Sequence, residues 1–155
     1  MKIEIREYNE DYFSDLTSLF WEVVHSVNAD DYTKNQLDTW APLQIDIEKW
    51  ENRIKNNFVI MAEYKNKIVG FAELSLLGCI DMIYVHMDYL RQKIGKMLLE
   101  CLIKKARKLN FTEVFTEASI TAKPFFEEQG FNVIKKQVKN FNGVNFVNYK
   151  MKKVI

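Results

Sequence analysis

The chain has 155 residues, enough for one domain with its own core (residues 1–155) and too few for two of ordinary size. A formal net charge of +1 excludes a broad cationic field for nucleic acid, so any anion must be gripped by a local cluster. The hydrophobic share of 48% and charged share of 28% suit a globular protein, and no apolar run approaches membrane-spanning length.

Lys2 to Glu7 alternates Ile3 and Ile5 with polar residues, as a half-buried strand and not as a signal peptide. Asn9 or Asp11 is placed to cap a helix with Phe13, Leu16, Leu19, Phe20, Val23, Val24 and Val27 on one face. Tyr32 to Pro42 is a short segment that Thr33 caps and Pro42 stops. It reads as a packing segment with Trp40 buried, or as a wall of a substrate pocket. Asp46 to Lys55 is a helix with Ile47, Trp50 and Ile54 inward. Phe58–Tyr64 and Ile68–Leu77 form a hairpin around Lys65-Asn66-Lys67, with Glu63 facing solvent.

Cys79 to His86 is an apolar strand. A basic turn follows, then a helix with Ile94, Met97, Leu98, Cys101, Leu102, Ala106 and Leu109 at three- and four-residue spacing. Strand, basic turn and helix start together suit a phosphate, because free N–H groups and the positive dipole end face the anion. Arg91, Lys93 and Lys96 supply charge. The same residues also fit an ordinary strand-to-helix connection with solvated lysines. Glu113–Ala118 is a strand parallel to the first, and Thr121 is placed to cap a short helix, Ala122 to Gln129, closed by Gly130. Phe131–Phe141 and Val144–Lys152 pair across Asn142-Gly143. The order describes an α/β fold with a mixed, mostly antiparallel twisted sheet flanked by helices.

Two blocks resemble the GNAT superfamily of N-acetyltransferases. Ile83 to Leu99 is similar to the acetyl-CoA motif, and Ala122 to Phe131 to the family's Ala-x-x-x-Tyr-x-x-x-Gly-Phe ending. Around His25, Asp31-Tyr32-Thr33, Gln36-Leu37 and Trp40-Ala41-Pro42, the chain also resembles a bacterial subgroup. The resemblance implies acetyl-CoA as co-substrate and no metal. Its thioester arm would lie along main-chain groups of Tyr84, Val85 and His86. Its pyrophosphate would meet Arg91, Gln92, Lys93, Ile94, Gly95 and Lys96, with Ser119 and Phe126 completing the contacts. Some positions depart from the pattern. Leu90 replaces Gln or Arg, and Lys93 replaces the first glycine. Lys93 serves there if its N–H faces the anion, since a helix-start residue needs no unusual φ. Phe126 replaces the tyrosine that often acts as general acid, and it has no proton to give.

Acetyl transfer needs a neutral amine, hence a base. Strict alternation puts Cys79, Asp81, Ile83 and Val85 on one strand face. Asp81 is the first candidate for base or amine anchor, or else an Asp at a strand's exposed beginning. Glu73 is the second, or else a solvent-facing charge on a half-buried sheet. Cys79 as nucleophile would give a covalent route, against its commoner use as a small buried hydrophobe. His25, Tyr32 and Trp40 are candidates for acceptor binding, with packing or solvent exposure as the alternative for His25 and His86. Tyr149 is a spare proton donor.

The acceptor would be a small-molecule or peptide amine, with no nucleic acid or membrane partner. Two cysteines, Cys79 and Cys101, make neither metal site nor disulfide framework, which suggests reduced thiols in the cytoplasm. A homodimer through the last hairpin (Phe141, Phe146, Val147, Tyr149) is one arrangement, core packing of those residues the other. Two further functions remain open: the same fold acting on another acyl-CoA or a hydroxyl acceptor, and an acyl-CoA-binding or sensing module without efficient catalysis.

Overall fold

Seven strands make one sheet in a computed structural model that describes residues 1–155. In chain order the elements are β1 (Glu4–Glu7), α1 (Phe13–Ser26), α2 (Lys34–Trp40), α3 (Ile47–Asn56), β2 (Phe58–Tyr64), β3 (Lys67–Leu74), β4 (Cys79–Val85), α4 (Ile94–Lys108), β5 (Glu113–Ser119), α5 (Lys123–Glu128), β6 (Asn132–Phe141) and β7 (Val144–Val154). Across the sheet the strands run β1-β2-β3-β4-β5-β7-β6. Only β4 and β5 are parallel, because α4 carries the chain from one to the other. The expected α/β fold with a mostly antiparallel sheet is the observed one.

The sheet carries a core on each face. On one, Leu98, Leu99, Leu102 and Ala106 of α4 and Phe126 of α5 meet Val69, Ala72, Ile80 and Val114. On the other, Leu16, Phe20, Val23 and Val24 of α1 and Leu37 of α2 meet Val59, Met61, Phe71 and Met82. The helix starts are fixed locally. Thr33 and Gln36 form a reciprocal capping box on α2, and the Asp46 carboxylate caps α3 through the Lys49 N–H at 3.1 Å.

Several expectations change. The alternation of β4 is broken at Asp81: Glu73 pairs with Met82 and Leu74 with Ile80, so Asp81 is an extra, unpaired residue. Ile80, Ile83 and Val85 consequently share the α4 face, while Met82 and Tyr84 face α1. Thr121 does not cap α5. The N-cap is Ala122, whose N–H donates to Ser119 Oγ at 3.0 Å, and Thr121 instead donates its hydroxyl to Asp31 at 2.6 Å. Glu63 is buried rather than solvent-facing, and Arg6 reaches it at 2.6 Å. Pro42 and Ala41 end α2 as expected.

Candidate active site

β4 and β5 are paired only at Cys79 with Phe115 and Ile80 with Thr116. The Thr116 hydroxyl donates to Ile80 O at 2.9 Å and closes the apex of the fork. Beyond it β4 stays with β3 and β5 stays with β7, so the two strands diverge. A strand parted from its neighbour presents free backbone donors and acceptors to an extended ligand. A cavity of about 900 Å³ occupies the fork, bordered by Ile80 to Tyr84 and by Thr116 to Ser119. Ala122 and Phe126 border it from the α5 side, and Phe20, Trp40 and Trp50 from the α1–α3 side. The cavity therefore passes through the sheet.

The start of α4 carries the donors for an anion. The first helical bond runs from Met97 N to Lys93 O at 3.0 Å, which leaves the Ile94, Gly95 and Lys96 N–H groups without helical partners. Ile94 itself is 1% exposed, so its side chain serves the core and only its amide is on offer. Arg91, Gln92, Lys93 and Lys96 are exposed around these amides. The expectation for Lys93 fails in its geometry. It stands at φ +68° and Arg91 at +60°, in the left-handed region where glycine is at ease. The kept Gly95 has a different reason: a Cβ there would come within 3.1 Å of the Phe125 ring.

On the α1–α3 side the bulge aims Asp81 into the cavity as an exposed carboxylate. Glu73 is close but engaged. It is 1% exposed, with its oxygens 2.9 and 2.8 Å from Arg53 Nε and one 2.6 Å from Asn57 Nδ2. Burial pushes the Glu73 carboxyl up, and Arg53 and Asn57 pull it part of the way back. Glu73 does not border the cavity; Arg53 and Asn57 do. Neither Arg53 nor Asn57 stands out in the sequence. A carboxylate inside an apolar strand is the one sign that a cation must come from elsewhere.

The other candidates divide. Tyr84 borders the cavity, its ring edge-on to Phe20 at 5.4 Å, and burial pushes its hydroxyl up. Val85 does not border it; its side chain packs into the α4 core. Tyr32 and Trp40 stand on the wall, edge to face at 5.3 Å, so Trp40 is half-buried and not a core residue. His25 does not reach the cavity. Its Nε2 lies 2.8 Å from Ala41 O, an acceptor only, and its ring stacks on Trp21 at 4.3 Å. The His86 side chain also points away: Nδ1 accepts the Asp88 N–H at 3.1 Å, and Nε2 is 3.3 Å from Glu22 of α1. Burial, reinforced by Asp81, pushes the Cys79 thiol up, against a thiolate nucleophile. In the last hairpin, Phe141, Phe146 and Val147 border the cavity, while Tyr149 joins the edge of the α4 core with Lys123 over its ring at 5.1 Å.

A sheet forked between its parallel strands, with free amides at the following helix start, suits an enzyme that takes an extended, anion-bearing ligand. Residues 28–153 match the family described as the acetyltransferase (GNAT) domain, and the chain belongs to that family. It is 34% identical over 150 residues to an uncharacterized N-acetyltransferase, YafP, of Escherichia coli K12, covering 97% of this chain and 95% of that protein. A GCN5-related N-acetyltransferase from Rhodopseudomonas palustris superposes with a TM-score of 0.95 at 28% identity, over 100% of this chain and 97% of that one. The PaiA N-acetyltransferase of Thermoplasma acidophilum, solved with coenzyme A, gives 0.83 at 22% identity over 100% of both chains and supports the fold alone. The protein is thus an acetyltransferase. No helix is long and apolar enough to cross a membrane.

Proposed function

We propose that this chain moves an acetyl group from acetyl-CoA directly to a primary amine of a small molecule or peptide. The observation that carries the reading is the cavity through the sheet, with free amides at the start of α4 and a carboxylate, Asp81, on its wall. The pyrophosphate of acetyl-CoA suits the Ile94, Gly95 and Lys96 amides, with Arg91, Lys93 and Lys96 adding charge. The pantetheine arm suits the free edge of β4, where main-chain groups of Met82 to Val85 face the fork. Backbone N–H groups on that edge also suit the thioester oxygen as it gains negative charge. Ser119 and Phe126 border the same cavity, one polar and one apolar contact for the arm.

The amine enters from the α1–α3 side, between Trp40, Trp50 and Phe20. Asp81 draws an ammonium by charge and takes one proton, directly or through water, so that the neutral nitrogen attacks the acetyl carbon; nitrogen loses its second proton as the amide forms. Glu73 lies behind it as the anchor of Arg53 and so shapes the wall without being the base.

A thiol-release assay across primary amines tests this, with the product mass identifying the acetylated nitrogen. Turnover with at least one amine, reduced about a hundredfold by Asp81→Asn with acetyl-CoA affinity retained, is the expected result. Release that is independent of every amine would contradict it.

A further inference from the structure

Phe126 leaves one proton unaccounted for. Transfer breaks the C–S bond, and the departing thiolate must be protonated. Phe126 is 2% exposed on the cavity wall and has no proton to give. Two tyrosines stand on that wall, Tyr32 and Tyr84. Tyr84 belongs to the acceptor side: its ring meets Phe20 and Phe71, and Trp40, Arg53, Glu73 and Tyr32 stand around its hydroxyl.

Tyr32 is elsewhere. Its hydroxyl oxygen accepts the Ile120 N–H at 2.9 Å, one residue past the end of β5 and just before α5, the helix that carries Phe126. That amide occupies an oxygen lone pair and leaves the O–H proton available to another acceptor. Ser119 is beside it, and Asp31, Tyr149 and Tyr84 are titratable groups in its surroundings. The segment is fastened on several sides. Asp31 takes the Thr121 hydroxyl at 2.6 Å, Gln36 donates to Asn145 O at 2.9 Å, and the Tyr32 ring lies 5.3 Å from Trp40 and 6.2 Å from Phe146. A phenol is thus held at the β5–α5 junction, on the wall that Phe126 shares.

Resting on the acetyl-transfer reading above, we propose that Tyr32 is the general acid, giving its hydroxyl proton to the sulfur of departing CoA. Nitrogen's lone pair forms the amide bond, the C–S electron pair leaves on sulfur, and the Tyr32 O–H proton converts the thiolate to a thiol. The proton released by the amine through Asp81 and solvent restores the phenol, so no further reactant is needed. Burial raises the Tyr32 hydroxyl, chiefly by desolvation, and keeps the proton in place until sulfur calls for it.

The test has one arm without an acceptor and one with. In the first, the thiol of bound CoA is titrated by its thiolate absorption in wild type and Tyr32→Phe, with the desulfo-CoA complex subtracting Cys79 and Cys101. A donor on the sulfur lowers the thiol's pKa in wild type relative to Tyr32→Phe. In the second, Tyr32→Phe lowers kcat about a hundredfold with CoA affinity and melting temperature retained. Adding Phe126→Tyr to Tyr32→Phe restores much of it, because a phenol again borders the cavity. An unchanged thiol pKa, or a rise in amine KM at constant kcat, overturns the assignment and leaves acetyl transfer standing. Wild type that binds no CoA overturns both.

Discussion

Lys93 holds the left-handed conformation, at φ +68°, on the turn that precedes the free amides of α4. For a residue with a Cβ this costs about 1 kcal/mol, which the turn tolerates because it aims N–H groups outward. Lys93→Gly should therefore raise unfolding stability by up to about 1 kcal/mol in denaturant titration while removing one positive charge from the site. Asp81 likewise owes its direction to backbone geometry. It faces the cavity because β4 carries one extra residue there, opposite the pairing of Glu73 and Leu74. Neither feature was legible beforehand. A lysine does not announce a positive φ, and strict alternation hides a bulge, which is a property of two strands together.

At the scale of elements, α3 and β3 are tied by one ion pair. Glu73 is 1% exposed, and Arg53 of α3 meets both of its oxygens. Arg53→Ala leaves that carboxylate buried with only Asn57, and should cost about 3 kcal/mol in stability by thermal or denaturant unfolding. The pH dependence follows from the raised Glu73 carboxyl. The folded chain binds this proton more tightly than the unfolded one, so the contribution favours folding at acid pH. It is lost as pH rises from the ordinary value of 4.5 through the folded value, and Glu73→Gln should flatten that slope. Most element boundaries were legible because their signals are local: Thr33 and Pro42 around α2, the Asn142-Gly143 turn and the three- and four-residue spacing from Ile94 onward. The Arg53–Glu73 pair was not, since 20 residues separate its members.

In the whole molecule, the two cores grip opposite faces of the sheet and leave the fork between β4 and β5 to be filled from both sides. The parallel crossover produces the fork, and the crossover was readable from the alternation of strand, helix and strand. What lines it was only partly readable. Tyr32, Trp40 and Asp81 were within reach, but the last hairpin's Phe141 and Phe146 reach the cavity only because β7 lies beside β5. The His25 ring, a candidate for its titratable nitrogen, packs on Trp21 and Ala41 O, and the His86 ring serves a turn.

The central claim is that acetyl-CoA occupies this fork with its pyrophosphate on the start of α4. Calorimetric titration of acetyl-CoA into wild type, Lys93→Glu and Lys96→Glu tests it most directly. Saturable 1:1 binding, weakened about tenfold by each charge reversal, is the predicted result, since each variant puts a carboxylate beside the same anion. Wild-type binding that both reversals leave unchanged, or no saturable binding at all, would contradict it.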